Sequence, residues 1–377
     1  MSAAAVPQLD LKAQYDAIAG EIEAVVLEVL RSQRWVLGDY VKAFEADAAR
    51  YVGVPHAIGC ASGSDALLLS LMALDVKPGD EVITTAFSFF ATASAITRLG
   101  ATPVFVDIRA DDCLLDPDAV RRAITPRTRA LLPVHLYGQC VDFAAFTAIA
   151  AEHRLPIVED AAQAIGATRD GKAAGTVGDL GCFSFYPTKN LGAAGDAGLV
   201  TALDDRLAAR VRRLREHGSE KRYEHIEVGL NSRLDAIQAA ILQVKLRHVD
   251  AWSDARAARA ATYDRLIRDA GLEGTVTLPV VHPGARHIFH QYVIRAPRRD
   301  ELREHLRARQ IGSEVYYPIP LHLQQCFAEL GYRAGSLPET ERASREVLAL
   351  PMYPELTQTQ QERVVEGLAS FYGRFSP

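Results

Sequence analysis

The stretch Phe183-Ser184-Phe185-Tyr186-Pro187-Thr188-Lys189-Asn190-Leu191-Gly192 sets one lysine between aromatic residues and a glycine-bearing turn. A lysine in apolar surroundings is costly unless its ammonium is paired or its pKa falls. With a lowered pKa, the amine becomes a good nucleophile toward carbonyl carbon. Most lysines are solvated surface residues, so the sequence around Lys189 must decide between a surface role and a chemical one.

Outward from this stretch, short apolar runs alternate with helical segments, which is typical of βαβ units and a mostly parallel sheet. The helical segments between the runs include Asp65 to Leu74, Ala91 to Leu99, Asp116 to Ile124 and Phe143 to His153. Ligands of such sheets bind at the carboxyl ends of the strands, and Lys189 follows the sixth strand. Seven strands are predicted, near residues 56–61, 81–85, 102–107, 130–135, 156–159, 179–185 and 197–201.

The flanking regions predict a second, smaller unit. Amphipathic spacing indicates helices over 9–31, 204–217 and 231–269, and residues 271–286 have the Gly and Pro content of a connector. We therefore expect a large α/β domain over residues 1–250 and a smaller C-terminal α+β domain over residues 251–377. Its predicted elements are a strand at 289–295, a helix at 300–309, a strand near 312–317 and a final helix opening at Thr357, with Gln360 at capping-box spacing.

Composition excludes several classes of function. A net charge of -5 argues against a general nucleic-acid or anionic-membrane surface, and no stretch of eighteen apolar residues predicts a membrane span. The start of the chain lacks the features of an export signal. Five cysteines without CxxC spacing do not suit a disulfide framework, so we expect a cytoplasmic protein.

The segment Ala61-Ser62-Gly63-Ser64-Asp65-Ala66-Leu67 turns from a strand end into an apolar helix. Backbone N–H groups and hydroxyls at such a helix start can hold a phosphate. The alternative is that Ser62 or Ser64 is an ordinary N-cap. The segment has neither a P-loop lysine nor a GxGxxG pattern, which disfavours nucleotide hydrolysis and dinucleotide binding.

The segment Val158-Glu159-Asp160-Ala161-Ala162-Gln163 places two acids and an amide directly after an apolar strand. Asp160 can pair with a positively charged ring nitrogen, and Gln163 can donate to a ring oxygen. The alternative is a capping Asp160 and a structural ion pair at Glu159. Together with Lys189, and with Ser184 as a further hydroxyl for an anion, these segments meet the needs of pyridoxal phosphate.

With these motifs, the sequence resembles the DegT/DnrJ/EryC1/StrS group of sugar aminotransferases, which have the aspartate aminotransferase-like fold type I. The resemblance extends over nearly the whole chain. The stretches that resemble the family are Gly63 to Leu67, Pro78 to Ile83, Glu159 to Gln163, Phe183 to Gly192, Gly195 to Gly198, Asn231 to Asp235 and Tyr317 to His322.

This resemblance implies roles for individual residues. Lys189 would form the Schiff base with pyridoxal 5'-phosphate, Asp160 would pair with the pyridine nitrogen, and Gln163 would contact the ring hydroxyl. Phe89 would stack on the ring. The implied phosphate ligands are Gly63, Ser64 and Ser184, with Asn231 supplied by the second subunit of a homodimer.

The implied reaction moves an amino group from L-glutamate, which becomes 2-oxoglutarate, to the C3 keto group of a nucleotide-linked ketosugar. Some stretches are similar to enzymes acting on dTDP-linked 6-deoxysugars and others to enzymes acting on a UDP-linked uronic acid. Ile165 stands where some dTDP-sugar 3-aminotransferases have histidine. C4-keto sugars and cyclitols remain alternatives. Lys189 is present where the dehydratase branch of the family has histidine, which favours transamination over deoxygenation. A non-catalytic regulatory role is a remote alternative, since such a protein has less reason to keep Lys189, Asp160 and Gln163 together.

Four further residues are predicted to contact the nucleotide-sugar, because arginine can hold a pyrophosphate or uronate, and tyrosine or histidine can bond sugar hydroxyls. Each also has an ordinary structural explanation, such as an ion pair or a core aromatic. The pairs His287/His290 and His282/His287 lack a third ligand, so we predict no metal site. The four predicted substrate residues are Tyr186, Arg233, Tyr317 and His322.

Overall fold

The computed structural model describes residues 5–373. Its helices are α1 Leu11–Ser32, α2 Asp39–Val52, α3 Gly63–Ala73, α4 Phe90–Arg98, α5 Pro117–Ala123, α6 Phe143–His153, α7 Asp205–Leu214, α8 Ala236–Leu246, α9 Val249–Asp269, α10 Arg299–Ala308, α11 Pro338–Glu346 and α12 Gln358–Phe371. Its strands are β1 His56–Cys60, β2 Glu81–Thr85, β3 Thr102–Val106, β4 Thr128–Leu132, β5 Val158–Asp160, β6 Thr168–Arg169, β7 Lys172–Ala173, β8 Leu180–Ser184, β9 Gly198–Ala202, β10 Ser219–Lys221, β11 Glu224–His225, β12 Ala285–Arg286, β13 Tyr292–Arg295 and β14 Val347–Leu350.

The predicted seven-stranded, mostly parallel sheet is confirmed. Its order is β1-β9-β8-β5-β4-β2-β3, in which isolated parallel bridges from Leu131 to Ile157 and from Val134 to Asp160 join β4 to β5. Strand β9 runs antiparallel to the other six strands, which are parallel to one another. The carboxyl ends of the parallel strands therefore meet at one edge, where side chains from distant parts of the sequence come together.

Buried apolar side chains surround this sheet. Strands β5 and β9 are buried throughout, as expected for strands covered on both faces. Helix α3 is also apolar nearly all round, because it packs between β8 and β9 on one side and α4 and α7 on the other. This packing fixes the start of α3 against the end of β8, where the functional residues lie.

The C-terminal region contains several of the predicted elements. The α12 capping box is present: the Thr357 side chain accepts from the Gln360 backbone, and the Gln360 side chain accepts from the Thr357 backbone. The predicted strand at 289–295 is β13, which pairs antiparallel with β14, a strand that the sequence analysis missed. The division into domains 1–250 and 251–377 remains a prediction.

Two predicted elements were wrong in detail. The single helix over 231–269 is two helices, α8 and α9, separated at Arg247 and His248; Arg247 pairs at 2.7 Å and His248 at 3.4 Å with Glu21 of α1. The predicted strand over 312–317 has only isolated bridges, from Ile311 to Val6 and from Glu314 to Ala349. The helix break has no Gly or Pro to mark it in the sequence.

Within residues 5–373 no helix is long and apolar enough to cross a membrane. The five cysteines are all free thiols, four of them buried. This agrees with the absence of a disulfide framework in the sequence.

Candidate active site

A cavity of about 820 Å³ opens at the carboxyl edge of the sheet. It collects residues from the ends of β1, β2, β5 and β8 and from the C-terminal region. Most of the predicted functional residues line it: Gly63, Ser64, Phe89, Asp160, Gln163, Ser184, Tyr186, Lys189 and Tyr317.

The start of α3 forms one wall of this cavity. Ser62 is the N-cap, and its Oγ accepts a hydrogen bond of 3.1 Å from the Asp65 N–H. A Cβ on Gly63 would lie 2.5 Å from the Ser184 Cβ, so only glycine lets the helix start approach the end of β8 this closely. Ser62 is therefore the N-cap that the alternative expected. Gly63, Ser64 and Ser184 line the cavity together, and this α3 cradle has the helix start and hydroxyls that suit an anion.

Lys189 lies on a tight turn after β8. Its N–H donates to the Tyr186 carbonyl at 2.8 Å, and Gly192 closes the turn so tightly that a Cβ there would lie 2.3 Å from the Pro187 carbonyl oxygen. The side chain is half-buried in the cavity wall. Desolvation lowers the pKa of its ammonium to about 8, and the Asp160 carboxylate opposes this fall. Such an amine is a competent nucleophile and proton carrier near neutral pH.

Asp160 is buried at the end of β5 and faces the same cavity. Its Oδ2 accepts a hydrogen bond of 2.8 Å from Thr92 Oγ1, which lies 2.8 Å from Ser88 Oγ, and its Oδ1 accepts one of 3.2 Å from the Ala162 N–H. Because Thr92 donates to Asp160, Ser88 donates to Thr92. Desolvation raises the pKa of Asp160, and these hydrogen bonds oppose the rise.

Glu159, next to Asp160, points away from the cavity. Its carboxylate is fully buried and accepts hydrogen bonds from His135 Nε2 and Gly175 N–H at 2.8 Å, Val177 N–H at 2.8 Å and Gly178 N–H at 2.6 Å. Desolvation raises the pKa of Glu159, but these bonds outweigh it and hold the pKa below its ordinary value. Glu159 thus has the structural role that the sequence left open as an alternative, although hydrogen bonds from His135 and the 175–178 loop hold it rather than an ion pair.

Gln163 connects the cavity to the C-terminal region. Its Oε1 accepts from the Tyr137 N–H at 2.6 Å, and its Nε2 donates to the Tyr317 hydroxyl at 2.9 Å. The Phe89 ring, which is 59% exposed, lies with its centroid 6.4 Å from that of Tyr317. An exposed aromatic face at the mouth of a cavity suits stacking on a planar ligand.

Three predicted residues do not line the cavity. Asn231 is exposed, and Arg233 is half-buried, just before α8. His322 is buried, and its Nε2 lies 3.2 Å from Glu341 Oε1. The substrate role of His322 therefore stays a prediction that the position of its side chain does not support.

Several residues that line the cavity were not predicted from the sequence. Ser88 is an ordinary hydroxyl residue of the β2–α4 connection, and Thr92 is one in the first turn of α4, 68 positions before Asp160. His290 was considered only as a metal ligand, yet it lines the cavity. The sequence held no signal for these residues, because each gains its role only from a partner far away in the chain.

Asp111, Asp112 and His282 bring ligand atoms within 4.8 Å of one another. The Arg109 guanidinium lies among them: Nη2 is 2.6 Å from Asp112 Oδ2 and 2.7 Å from His282 Nε2. A cation is thus already present in the cluster, which is an ion-pair network of the protein itself.

Comparison with known proteins places this geometry in a family. The model of the DegT/DnrJ/EryC1/StrS aminotransferase family matches residues 16–369. A pleiotropic regulatory protein of Geobacillus stearothermophilus is 54% identical over 98% of this chain and 100% of its own length.

Two further relatives carry enzyme names. The dTDP-3-amino-3,4,6-trideoxy-alpha-D-glucose transaminase of Streptomyces venezuelae is 46% identical, over 98% of this chain and 97% of its own. The UDP-N-acetyl-3-dehydro-alpha-D-glucosamine 3-aminotransferase of Acidithiobacillus ferrooxidans is 44% identical, over 96% of each chain.

Among solved structures, S. venezuelae DesV in complex with a ketimine intermediate superposes with a TM-score of 0.95 at 45% identity, covering 99% of this chain and 100% of that one. The family match, the full-length relatives and the lysine-bearing cavity agree. The chain belongs to the DegT/DnrJ/EryC1/StrS aminotransferase family and is a pyridoxal-phosphate-dependent aminotransferase.

Proposed function

We propose that this enzyme transfers an amino group from L-glutamate to the C3 keto group of a dTDP- or UDP-linked ketosugar. The observation that supports the proposal most is the meeting of Lys189, Asp160 and the α3 anion cradle in one cavity. The two relatives with enzyme names act at C3 of a dTDP-linked and a UDP-linked sugar, so they favour position C3 and leave the nucleotide open.

The cavity residues suit the cofactor. The cradle that a Cβ at Gly63 would fill suits the phosphate, with Ser64 and Ser184 as further donors. Asp160 suits a protonated ring nitrogen and Gln163 a ring hydroxyl, while Phe89 can cover the ring. When bound, the cofactor supplies an electron sink for removal of a proton from the amino-bearing carbon.

The protein supplies positioning and proton transfer. The Lys189 Nζ would hold the cofactor between turnovers and, once free, would move the α-proton as general base and then acid. Burial of the amine favours this role because it lowers the pKa to about 8. Asp160 stays in place to accept a hydrogen bond from the ring nitrogen, and its own partners Thr92 and Ala162 hold it there.

A homodimer with shared active sites completes the proposal, with Asn231 and Arg233 reaching the cavity of the partner. Two large side chains in the segment before Asn231 are highly exposed: Tyr223 is 81% and Val228 89% exposed. Such side chains on a monomer favour a protein interface. Tyr186 and Tyr317, which line the cavity, complete the proposed substrate contacts, whereas His322 is buried against Glu341 and is left out of them. The cytoplasm is the proposed location.

A reverse assay tests the substrate. Purified enzyme is supplied with 2-oxoglutarate and a panel of dTDP- and UDP-linked 3-amino and 4-amino sugars, and formation of glutamate is measured. We expect turnover of 3-aminosugars of one nucleotide class. Turnover of 4-aminosugars or aminocyclitols alone would move the proposal to those alternatives.

Borohydride reduction tests the chemistry independently of the sugar. The purified protein is expected to be yellow, and reduction should bleach its visible band and leave the adduct on Lys189. Lys189→Ala should give no adduct. Lys245→Gln is the matched control, since Lys245 is also a partly buried lysine with a lowered pKa but donates to Gly192 O and lies outside the cavity. A colourless protein indifferent to pyridoxal phosphate would favour the regulatory alternative.

A further inference from the structure

His290 lies in the wall of the active-site cavity, which it shares with Lys189. Its Nδ1 is 3.1 Å from the Oδ1 of Asn190, the residue that follows Lys189 in the chain. The imidazole is therefore tied by a side-chain hydrogen bond to the same turn that presents the reactive amine.

The hydrogen bonds of Asn190 determine the tautomer of His290. Asn190 Nδ2 donates to the Ile288 carbonyl at 3.1 Å, so the amide nitrogen faces away from His290 and Oδ1 faces it. An amide oxygen can only accept, which makes His290 Nδ1 the donor. In a neutral ring the lone pair then lies on Nε2. Within residues 5–373, Nε2 has no protein hydrogen-bond partner and is not sealed from the cavity.

The surroundings keep the imidazole neutral. Burial lowers the pKa of His290 well below its ordinary value, and the positive charges of Lys189 and Arg256 and the nearby His287 lower it further. Arg256 also fixes the loop, because its Nη1 donates to the carbonyls of Phe289 and His290 at 3.3 Å and of Met352 at 2.9 Å.

We propose that His290 is a positioning residue whose Nε2 accepts a hydrogen bond from the Lys189 amine when that amine is free. The inference rests on the aminotransferase function of Lys189. A neutral acceptor orients an amine N–H and leaves the amine lone pair for the reacting carbon. A carboxylate in the same place would form an ion pair and hold the ammonium form much more strongly.

Nitrogen NMR of protein labelled with ¹⁵N-histidine tests the tautomer without substrate. We expect a protonated, pyrrole-like Nδ1 and an unprotonated, pyridine-like Nε2 for His290 at neutral pH, with assignment by loss of the signals in His290→Gln. A proton on Nε2, or an imidazolium, overturns the proposal. Because this measurement needs no sugar, its failure is distinct from failure of the substrate assignment.

Variants test the action on Lys189. His290→Phe removes the acceptor, so we expect kcat to fall about 100-fold with little change in KM. The pH dependence of the rate at which apoenzyme combines with pyridoxal phosphate should also shift to lower pH, since an acceptor favours the charged amine. His290→Gln, which keeps an acceptor, should restore most of both.

His287→Phe is the matched control. His287 is equally buried, burial lowers its pKa to about 3, and its Nδ1 accepts from the Phe289 N–H, but it does not line the active-site cavity. We expect this variant to leave the reconstitution profile unchanged. If His287→Phe shifts the profile as much as His290→Phe, or His290→Gln restores nothing, His290 has only a structural role.

Discussion

Glu159 and Asp160 are adjacent carboxylates on one strand with opposite environments. Successive strand residues point to opposite faces, so Glu159 turns toward His135 and the 175–178 loop, whereas Asp160 turns toward the cavity. Both are buried, yet the pKa of Glu159 is lowered and that of Asp160 is raised. The difference lies in the number of donors, because four hydrogen bonds overcome the desolvation of Glu159 and two do not overcome that of Asp160.

Glu159 therefore contributes to the stability of the fold, whereas Asp160 is placed for the chemistry of the cavity. The carboxylate of Glu159 has all its hydrogen-bond donors within the protein, and it holds the 175–178 loop in place. Asp160 has fewer protein donors and lies open to the cavity, so a positively charged ring nitrogen would complete its hydrogen bonding. An incompletely satisfied buried acid in a cavity is typical of a functional site.

Asp160→Asn should have the largest effect. Loss of the negative charge removes the partner of the ring nitrogen, and we expect kcat to fall about 100- to 1000-fold. Folding raises the pKa of Asp160, so its ionised form is disfavoured in the folded state and the neutral replacement should not weaken the apoenzyme at pH 7. Steady-state kinetics and urea unfolding of the apoenzyme at fixed protein concentration measure the two effects. A large loss of stability with normal kcat would contradict the assignment.

Glu159→Gln should show the opposite pattern. It leaves buried N–H donors unpaired, and we expect a loss of about 3 kcal/mol in the free energy of unfolding. Folding lowers the pKa of Glu159, so its stabilisation is present above the unfolded-state pKa of about 4.3 and is lost as the pH falls through the lower folded-state value. The variant should therefore be less stable than the parent at pH 7 and approach it in acid. Active enzyme that remains folded should keep nearly normal kcat.

Thr92→Val should have a smaller effect on kcat than Asp160→Asn, because it changes only a hydrogen-bond donor to the carboxylate. Asp160 loses its Thr92 donor, so its pKa should rise further and kcat should fall about tenfold. The absorbance of the bound cofactor, followed against pH, should show the acid limb moved to higher pH. Ser88→Ala, which reaches Asp160 through Thr92, should move it less. An unchanged limb in Thr92→Val would show that the hydroxyl does not control the charge of Asp160.

Much of the fold could be predicted from the sequence because its local patterns and its tertiary packing agree. All seven strands of the main sheet and the capping box at Thr357 were found from apolar runs and residue spacing. The break between α8 and α9 was missed because it falls at Arg247 and His248, where no Gly or Pro marks it in the sequence. The β13–β14 pair was missed in part because β14 gains its partner across more than fifty residues.

The candidate site, like the fold, was predicted from the sequence only in part. Lys189, Asp160 and the start of α3 each lie in a local sequence motif that predicts a functional role, and the structure brings them to one cavity. His322 had a suggestive motif, but its side chain lies in a separate buried cluster with Glu341. A motif predicts which residues are near one another along the chain, and it does not predict which way a side chain faces.

The sheet, the lysine turn, the start of α3 and the family resemblance could be predicted from the sequence, since they follow from local spacing and residue type. The folded structure was needed to show that Glu159 is structural while Asp160 faces the cavity, that Thr92 and Ser88 support Asp160, and that Asn190 sets the tautomer of His290. These features escape the sequence because pKa values and hydrogen-bond roles depend on burial and on partners that chain folding brings from distant positions.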